Sequence, residues 1–219
     1  MIRAVIFDFD GLIVDTETAA FEAWSAIYRE HGAELLLQDW VSCVGAADMP
    51  FDAVAHLATL IGRPLDKTKL MADKEARKSA VCNKLPPLPG VVDRMAEAEA
   101  MGLPIAVASS SAADWVHGHL DRLGLRSRLK LTRTRGDVAR GKPHPDLFIS
   151  AAAGLGVDVG SCVVFEDSAN GLKAAKTAGA RCYIVPNRIT AGSDFSAADG
   201  IFTSLSEVSL AALGGGQVG

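Results

Sequence analysis

The chain has 219 residues and a formal net charge of −4, and 49% of its residues are hydrophobic against 22% charged. This length is enough for one large domain, or for a domain with an insertion, and the balance is that of a globular protein with a substantial core. The acidic charge argues against a nucleic-acid-binding protein, because binding to phosphates requires a basic face.

The cysteines and apolar runs predict a cytoplasmic protein without a membrane anchor. The four cysteines are scattered and form no Cys-x-x-Cys pair, which is typical of buried thiols in a reducing compartment. The longest uncharged run, residues 100–113, contains Pro104 and three serines, so it is too short and too polar to span a bilayer. Asp8 interrupts the apolar run that a signal peptide would require.

The chain begins with an apolar run that ends in two closely spaced aspartates. Residues 2–7 are predicted to form a buried strand, and Asp8-Phe9-Asp10-Gly11 follows directly. Residues i and i+2 of an extended segment project the same way, so both carboxylates are expected at the carboxyl end of this strand, where parallel α/β sheets form their ligand crevice. Such carboxylates repel each other unless a proton or a metal intervenes. The motif therefore favours a Mg²⁺-assisted site in which one carboxylate attacks and the other handles protons.

Two other interpretations of this motif need weighing. Asp-x-Asp-Gly also opens calcium-binding loops, but those loops have glycine at position 6 and glutamate at position 12. Here Gly11 stands at position 4, and the motif follows a predicted strand. A plain Asp-Gly turn is the stronger alternative, and the four residues alone leave it open.

A helical pattern follows the motif and continues to a proline-rich connector. Asp15 or Thr16 can cap the first helix, in which apolar residues recur at helical spacing. Further helical patterns cover residues 51–61 and 67–84, before the stretch 85–90, whose prolines cannot continue a helix. Residues 16–86 are therefore predicted to form a helical insertion after the first strand.

Beyond the connector, short apolar runs alternate with helical ones, which predicts a parallel sheet with helices on both faces. The predicted strands are 105–108, 129–132, 162–165 and 182–185, and the predicted helices are 114–123, 145–155 and 170–178. We therefore expect a doubly wound α/β core from residues 1–15 and 87–213, with residues 16–86 inserted as a helical unit. Residues 214–219 are expected to be a disordered tail.

Three more polar clusters are taken to follow predicted strands, which places them on the same rim as the first motif. Ser109 and Ser110 bring hydroxyls and backbone N–H groups to a helix entrance, which can bind an anion, although an ordinary N-cap is the simpler explanation. Lys142 lies just before a predicted helix, in a segment held by Pro143 and Pro145, which is an unusual setting for a solvated lysine. Glu166 and Asp167 end a buried strand, and capping would explain only the second of them. Together the clusters predict carboxylates for Mg²⁺, with hydroxyl, amide and lysine groups for phosphoryl oxygens.

These motifs and their order resemble the haloacid dehalogenase-like hydrolase superfamily, in the group that carries a helical cap after the first strand. The resemblance covers residues 2–187 and rests on Asp8-Phe9-Asp10-Gly11-Leu12, on Ser109, on Lys142-Pro143-His144-Pro145-Asp146 and on Phe165-Glu166-Asp167-Ser168-Ala169-Asn170-Gly171. The group includes β-phosphoglucomutase and many small phosphatases. It implies a Rossmann-like core, a cap that closes over the substrate, and a Mg²⁺-dependent enzyme whose partner is a small phosphorylated metabolite.

The resemblance also implies a role for each motif residue. Asp8 matches the nucleophile that forms an aspartyl-phosphate. Asp10 matches the general acid and base, and its backbone carbonyl is the usual metal contact in the family. The implied phosphate-binding residues are Ser109, Ser110 and Lys142, and the implied Mg²⁺ ligands are Asp8, Asp10, Glu166 and Asp167, with Glu166 binding directly or through water.

Within the superfamily, phosphomonoester hydrolysis is the leading prediction and a β-phosphoglucomutase-like mutase is the alternative. A mutase would want a histidine in the first cap helix, where this chain has Ala20, and a basic residue just past Gly45, where Asp48 lies instead. Dehalogenation is disfavoured by Asp10 and the acidic pair, and phosphonate cleavage would want a cap lysine earlier than Lys67. A non-catalytic phosphate sensor that resembles a response-regulator receiver is less favoured, because receivers carry their phosphoacceptor on a later strand and have no helical cap.

Residues outside the motifs receive further predictions. The substrate is expected to be selected by residues near Gly45 and by the helix 74–84, including Arg77 and Lys78. Trp115 is assigned to packing, and His119 is assigned to the surface of its helix. No feature of the sequence predicts an oligomeric state.

Overall fold

The computed structural model describes residues 1–47 and 51–214. The strands in this part of the chain are β1 (Ala4–Phe7), β2 (Ile105–Ala108), β3 (Leu131–Arg133), β4 (Cys162–Glu166), β5 (Arg181–Ile184) and β6 (Gly200–Ile201). The α-helices are α1 (Thr16–Glu30), α2 (Leu37–Trp40), α3 (Ala53–Ile61), α4 (Lys67–Cys82), α5 (Val91–Ala100), α6 (Ala113–Arg122), α7 (Asp146–Leu155), α8 (Ala169–Ala178) and α9 (Leu210–Gly214). None of these helices combines the length and the apolar character needed to cross a bilayer.

The six strands form one parallel sheet in the order β3-β2-β1-β4-β5-β6. β1 lies between β2 and β4, with Phe7 aligned with Val107 on one side and with Phe165 on the other. The chain leaves β1 first towards β2 and later returns to β4 on its other side, which is the switch point where such sheets open a crevice. The predicted doubly wound α/β fold is confirmed.

Both faces of the sheet are covered by helices. In β1, Val5 and Phe7 pack into one apolar cluster with residues of α5 and α6, whereas Ala4 and Ile6 pack into a second cluster with residues of α7 and α8. Because both faces are buried, every position of this strand must be apolar, which explains why the sequence shows a continuous run and no alternation. This burial holds the loop after β1 in a fixed place.

Helices α1 to α4 lie between β1 and β2 in the chain, and we call them, together with the loops that join them, the helical insert. They share a third apolar cluster, to which α1 contributes Trp24 and Tyr28, α3 contributes Leu57 and α4 contributes Leu70. The Asp15 carboxylate accepts a hydrogen bond from the Thr18 N–H at 3.2 Å and so caps α1, as one of the two alternatives predicted. That the insert is a separate cap domain stays a prediction.

Several boundaries differ from those expected. The helix α5 was missed because its apolar stripe is narrow, with only Val91, Met95 and Ala98 buried. β3 begins at Leu131 because its register is set by pairing with β2 and residue 129 still belongs to the preceding turn. β6 was missed because its two residues are too few for any pattern. The predicted disordered tail is wrong at Gly214, which ends α9, and residues 215–219 lie outside the described part of the chain.

Candidate active site

The carboxyl ends of β1, β2 and β4 meet at one edge of the sheet, and the predicted site residues lie there. Asp8 follows β1, and its backbone N–H donates to the Phe165 carbonyl at 2.9 Å. Its side chain is buried and accepts a hydrogen bond from the Lys142 ammonium group, which also donates to Glu166. Three separate motifs of the sequence therefore meet through one lysine.

Lys142 is a fully buried cation, with 1% of its surface exposed. Burial lowers the pKa of this lysine, but the negative charges of Asp8 and Glu166 and the hydrogen bonds to them outweigh that effect and raise the pKa above its usual value. The ammonium group is therefore charged at every physiological pH. As a single positive charge, it can neutralise only one of the carboxylates around it. The remaining negative charge is then available to a second cation.

Three carboxylates form a compact acidic cluster beneath the cavity. The ligand oxygens of Asp8, Glu166 and Asp167 all lie within 4.8 Å of one another. Burial, followed by the charge of Glu166, raises the pKa of Asp8 and of Asp167 well above the ordinary value. One lysine among three acids leaves an excess of negative charge, which a divalent cation would neutralise.

Asp167 supplies the test of whether a metal fits. Its Oδ2 atom accepts a hydrogen bond from the Asn187 amide at 2.7 Å, whereas its buried Oδ1 atom has no hydrogen-bond partner within residues 1–47 and 51–214. A buried carboxylate oxygen without a donor is unfavourable unless a cation binds it. Carboxylate oxygens are the ligands that Mg²⁺ prefers, so the residues present fit this ion.

Asp10 lies in a different environment from Asp8. Its Oδ1 atom accepts hydrogen bonds from the Thr16 hydroxyl at 2.8 Å and the Trp115 indole at 2.9 Å, and its Oδ2 atom accepts from the Ser111 hydroxyl at 2.6 Å. Burial alone would raise the pKa of Asp10, but the charge of Lys78 and these donors lower it below the ordinary value. The pKa values of the two aspartates are thus shifted in opposite directions by their surroundings.

The carboxylate of Asp10 lies outside the acidic cluster, so a contact with the metal through its backbone carbonyl stays a prediction.

The serines after β2 join the sheet edge to the helical insert. Ser109 is fully buried; its hydroxyl donates to Asp10 at 3.2 Å and accepts from the Ser111 N–H at 3.0 Å. The Ser110 hydroxyl donates to the Gly45 carbonyl at 3.0 Å. Both residues lie before the N-terminus of α6, as expected, and their role in binding phosphate stays a prediction.

A cavity of about 150 Å³ separates this sheet edge from the helical insert. The sheet side is lined by Asp8, Asp10, Ser109, Ser110 and Ser111, and the insert side by Glu17, Ala20, Trp40, Cys43, Gly45, Ala46, Lys74 and Lys78. Of the residues expected to select the substrate, Gly45 and Lys78 line this cavity. Arg77 does not, because its guanidinium group binds Glu30 and Asp73. The predicted contribution of Asp48 lies outside the described residues.

Sequence reasoning missed the contribution of Trp115. The residue was assigned to packing, yet its indole N–H binds Asp10 and its ring lies 3.8 Å below the Lys78 ammonium group. The surface position predicted for His119 is wrong, since only 4% of the residue is exposed and its ring packs on that of Trp115 with centroids 4.3 Å apart. The i, i+4 spacing of the two aromatic residues was the available signal, because it places both on one helix face.

Two glycines allow the acidic residues to approach the backbone closely. Gly11 has a φ of +82°, and a Cβ atom there would overlap the Asp167 carboxylate. A Cβ atom at Gly171 would overlap the Glu166 carboxylate. The glycines of the first and last motifs are therefore required by the packing of the carboxylates.

Comparison with known proteins agrees with this geometry. The family model for haloacid dehalogenase-like hydrolases matches residues 2–179. YhcW of Bacillus subtilis, provisionally named a phosphatase, is 41% identical over 213 residues, which cover 97% of this chain and 96% of that protein. The fructose-1-phosphate phosphatase YqaB of Escherichia coli is 33% identical over 177 residues, or 80% of this chain and 92% of that protein.

A solved structure extends the comparison to the whole fold. CbbY from Rhodobacter sphaeroides, in complex with phosphate, matches with a TM-score of 0.74 and 27% identity, over 94% of this chain and 96% of that chain. The family and the enzyme class predicted from the sequence are confirmed. The chain belongs to the haloacid dehalogenase-like hydrolases, and its relatives include enzymes named as phosphatases.

Proposed function

We propose that the protein is a Mg²⁺-dependent phosphatase that hydrolyses a small phosphorylated metabolite through an aspartyl-phosphate. The observation that carries this proposal is the position of Asp8, which lines the cavity, is bound by Lys142 and belongs to the acidic cluster with Glu166 and Asp167. A nucleophile for phosphorus must be held in place and must be shielded from repulsion by the incoming dianion. The lysine and the metal-binding cluster supply both conditions.

Two steps follow from the positions of the aspartates. Asp8 attacks phosphorus, so that a bond from its carboxylate oxygen to phosphorus forms while the ester bond breaks, and protonated Asp10 gives its proton to the leaving oxygen. Ionised Asp10 then takes a proton from water, whose oxygen attacks phosphorus and releases phosphate from Asp8. The four donors around Asp10 favour its ionised form, which suits the second step. The first step requires that the incoming substrate displace some of these donors.

Mg²⁺ would be held by Asp8, Asp167, the Asp10 carbonyl and Glu166, directly or through water. When bound, it neutralises the acidic cluster and the phosphoryl oxygens. Lys142 would hold the phosphoryl group beside Asp8, and the backbone N–H groups and hydroxyls at Ser109 and Ser110 would bind its other oxygens.

The helical insert would act as the cap. Three hydrogen bonds of 2.8 to 3.0 Å hold it against the sheet edge. They join Gly45 to Ser110, Ala47 to Lys142 and Val44 to Asn170. A cap in this position would exclude water until the substrate is bound and would choose among substrates. A cytoplasmic location, with the four unpaired cysteines reduced, is part of the same proposal.

A sugar-phosphate mutase is the second candidate, and one observation favours it. A mutase must hold a distal phosphate, and the cation that is missing beside Gly45 is present on α4, where Lys74 and Lys78 line the cavity. Against it, Ala20 occupies the cavity wall where a mutase would want a histidine. Hydrolysis remains the better-supported reaction, and the sugar-phosphate phosphatase among the relatives agrees with it.

The covalent mechanism is tested by Asp8→Asn with p-nitrophenyl phosphate as a generic substrate and Mg²⁺ present. The variant should fold normally and lose turnover by about a thousandfold or more, because an amide cannot replace the nucleophile. Asp93→Asn is the matched control, since Asp93 is exposed on α5, and it should keep full activity. Near-normal turnover by folded Asp8→Asn would remove the covalent mechanism.

The metal requirement is tested by treatment with EDTA and readdition of cations. Activity should be lost with EDTA and restored by Mg²⁺, but only poorly by Ca²⁺, which prefers a looser and higher coordination. Full activity in metal-free protein would contradict the assignment of the acidic cluster.

The same preparation decides between hydrolase and mutase. With β-glucose 1-phosphate and a trace of the 1,6-bisphosphate, a hydrolase yields at most inorganic phosphate. Rapid formation of glucose 6-phosphate would establish the mutase.

A further inference from the structure

The loop that follows β5, residues 185–191, brings an asparagine to the acidic cluster. The backbone N–H of its first residue donates to the Glu166 carbonyl at 2.8 Å, so the loop starts beside the carboxyl end of β4. The Nδ2 atom of Asn187 then donates to the Oδ2 atom of Asp167 at 2.7 Å and to the Gly11 carbonyl at 3.3 Å. One amide group therefore joins the loops that follow β1, β4 and β5.

The surroundings of this amide group fix which of its ends faces the cluster. The Oδ1 atom of Asn187 accepts hydrogen bonds from the backbone N–H groups of Ile189 at 2.9 Å and Thr190 at 3.2 Å. These two groups can only donate, and the Gly11 carbonyl at the other end can only accept. A flipped amide would lose all of these hydrogen bonds. Asn187 is thus held as a hydrogen-bond donor towards Asp167.

The loop itself is held in place by packing against the helical insert. Ile189 is 2% exposed and belongs to the apolar cluster that the helices of the insert share. Thr190 is fully buried, and its hydroxyl accepts a hydrogen bond from the backbone N–H of Asn187 at 3.1 Å. A side chain that orients a functional group must have its own position fixed by packing and hydrogen bonds. Asn187 meets this requirement.

The two oxygen atoms of the Asp167 carboxylate differ as a result. Oδ2 is occupied by Asn187, whereas Oδ1 is buried and has no hydrogen-bond partner in the part of the chain that the structure describes. Capping the turn of the loop requires only the side-chain oxygen of Asn187, so it does not explain why the nitrogen is directed at Asp167. The contact with Asp167 needs a reason of its own.

The choice of an amide as the donor supplies that reason. Asp8 and Glu166 are bound by Lys142, whose positive charge offsets part of their negative charge. The amide of Asn187 has no net charge, so it can orient the carboxylate of Asp167 and leave its negative charge for a cation. Groups that hydrogen-bond to a metal ligand in this way orient the ligand and raise the affinity for the metal.

We propose that Asn187 is a positioning residue for the metal, which binds one oxygen of Asp167 and thereby directs the other, Oδ1, to the ion. The residue touches neither the substrate nor the metal and acts through Asp167. This inference rests on the proposed function, because it concerns the ion assigned to the acidic cluster. It adds the loop after β5, which none of the sequence motifs includes, to the residues on which metal binding depends.

Binding of Mn²⁺ to the metal-free protein tests this role without any turnover. Mn²⁺ takes the same oxygen ligands as Mg²⁺, and the electron paramagnetic resonance signal of free Mn²⁺ falls as the ion binds. Asn187→Ser removes the amide N–H but keeps a hydroxyl that can cap the turn. Its Kd for Mn²⁺ should be about 10-fold to 100-fold higher than that of the wild-type protein. The melting temperature of the metal-free protein should stay nearly unchanged.

Two control variants separate the orientation of Asp167 from the stability of the loop. Thr190→Val removes the hydroxyl that supports the loop but keeps the amide group of Asn187. It should lower the melting temperature and leave the Kd for Mn²⁺ close to the wild-type value. Asn83→Ser makes the same substitution at the exposed end of α4 and should change neither quantity.

Two results would overturn the proposal: a wild-type Kd in Asn187→Ser, or an equal rise of the Kd in Thr190→Val. If the wild-type protein binds no Mn²⁺, the metal site of the proposed function fails and the role of Asn187 fails with it. If the wild-type protein binds Mn²⁺ but does not hydrolyse p-nitrophenyl phosphate with Mg²⁺ present, the phosphatase assignment fails, whereas the Kd values still decide the role of Asn187.

Discussion

Replacing Glu17 by glutamine should change how the free energy of unfolding depends on pH. Glu17 lies in the first turn of α1 and faces the cavity, where burial, followed by the charge of Asp10, raises its pKa from 4.5 to about 7. Between these two pH values the folded protein keeps a proton on Glu17 that the unfolded chain has lost. The stabilisation from this proton is complete below pH 4.5 and is lost as the pH rises through 7.

The size of the effect follows from the shift in pKa. Each unit corresponds to about 1.4 kcal/mol, so the full shift corresponds to about 3 kcal/mol of unfolding free energy. Part of this is screened because the side chain is only half-buried, which gives an expected change of about 1 to 3 kcal/mol. Glutamine has the same shape but no proton to lose, so Glu17→Gln should gain stability relative to the wild-type protein as the pH rises.

Urea unfolding between pH 4.5 and 8, with EDTA present, measures this difference. The unfolding free energy of Glu17→Gln minus that of the wild-type protein should rise by about 1 to 3 kcal/mol between pH 4.5 and 7.5 and then level off. Glu34→Gln is the control, because Glu34 is exposed before α2, and its curve should run parallel to that of the wild-type protein. A difference for Glu17→Gln that does not change with pH would show that this carboxyl group titrates as it does in water.

Two further substitutions test the packing around the carboxylates. Trp115→Phe keeps the aromatic ring but removes the N–H that binds Asp10, so kcat should fall about 10-fold with KM and melting temperature nearly unchanged, as steady-state kinetics and thermal denaturation will show. An unchanged kcat would mean that the other hydrogen-bond donors are enough to hold the Asp10 carboxylate in place. Gly171→Ala places a methyl group against the Glu166 carboxylate and should lower the unfolding free energy by about 1 to 3 kcal/mol. If this variant melted at the same temperature as the wild-type protein, the close approach of the Glu166 carboxylate to the backbone of Gly171 would be contradicted.

The sequence alone was enough to predict that the residues at the strand ends lie close together. Asp8 and Ser109 follow strands that are continuous apolar runs, and Glu166 is the last residue of another such strand. Parallel strands present their carboxyl ends at one edge of the sheet. The strand-end position expected for Lys142 is wrong, because β3 ends at Arg133 and Lys142 lies in the loop before α7. The two prolines of this loop were the signal that made it recognisable. For the strand-end residues the topology of a parallel sheet determines which side chains lie close together. The order of the motifs along the chain was therefore sufficient to predict the site.

The residues contributed by helix packing could not be found in the same way. Lys78 and Arg77 are neighbours in the sequence, yet one faces the cavity and the other binds Glu30 on α1. Their orientation depends on the rotation of α4 about its axis, and the apolar stripe that would reveal this rotation is weak, with only Leu70 and Cys82 buried. The same lack of tertiary information concealed the bond between Trp115 and Asp10.

The helix pair α1–α4 joins the Asp10 side of the cavity to the wall that carries Lys74 and Lys78. At its N-terminus α1 supplies Thr16, which binds Asp10, and at its C-terminus it supplies Glu30, which is held by Arg77. Arg77 thereby fixes α4, which carries Lys74 and Lys78, to the helix that contacts Asp10. The spacing between the two ends of the cavity is thus set by a packed helix pair and not by a loop. The backbone positions of the two lysines relative to Asp10 therefore depend on the packing of this helix pair.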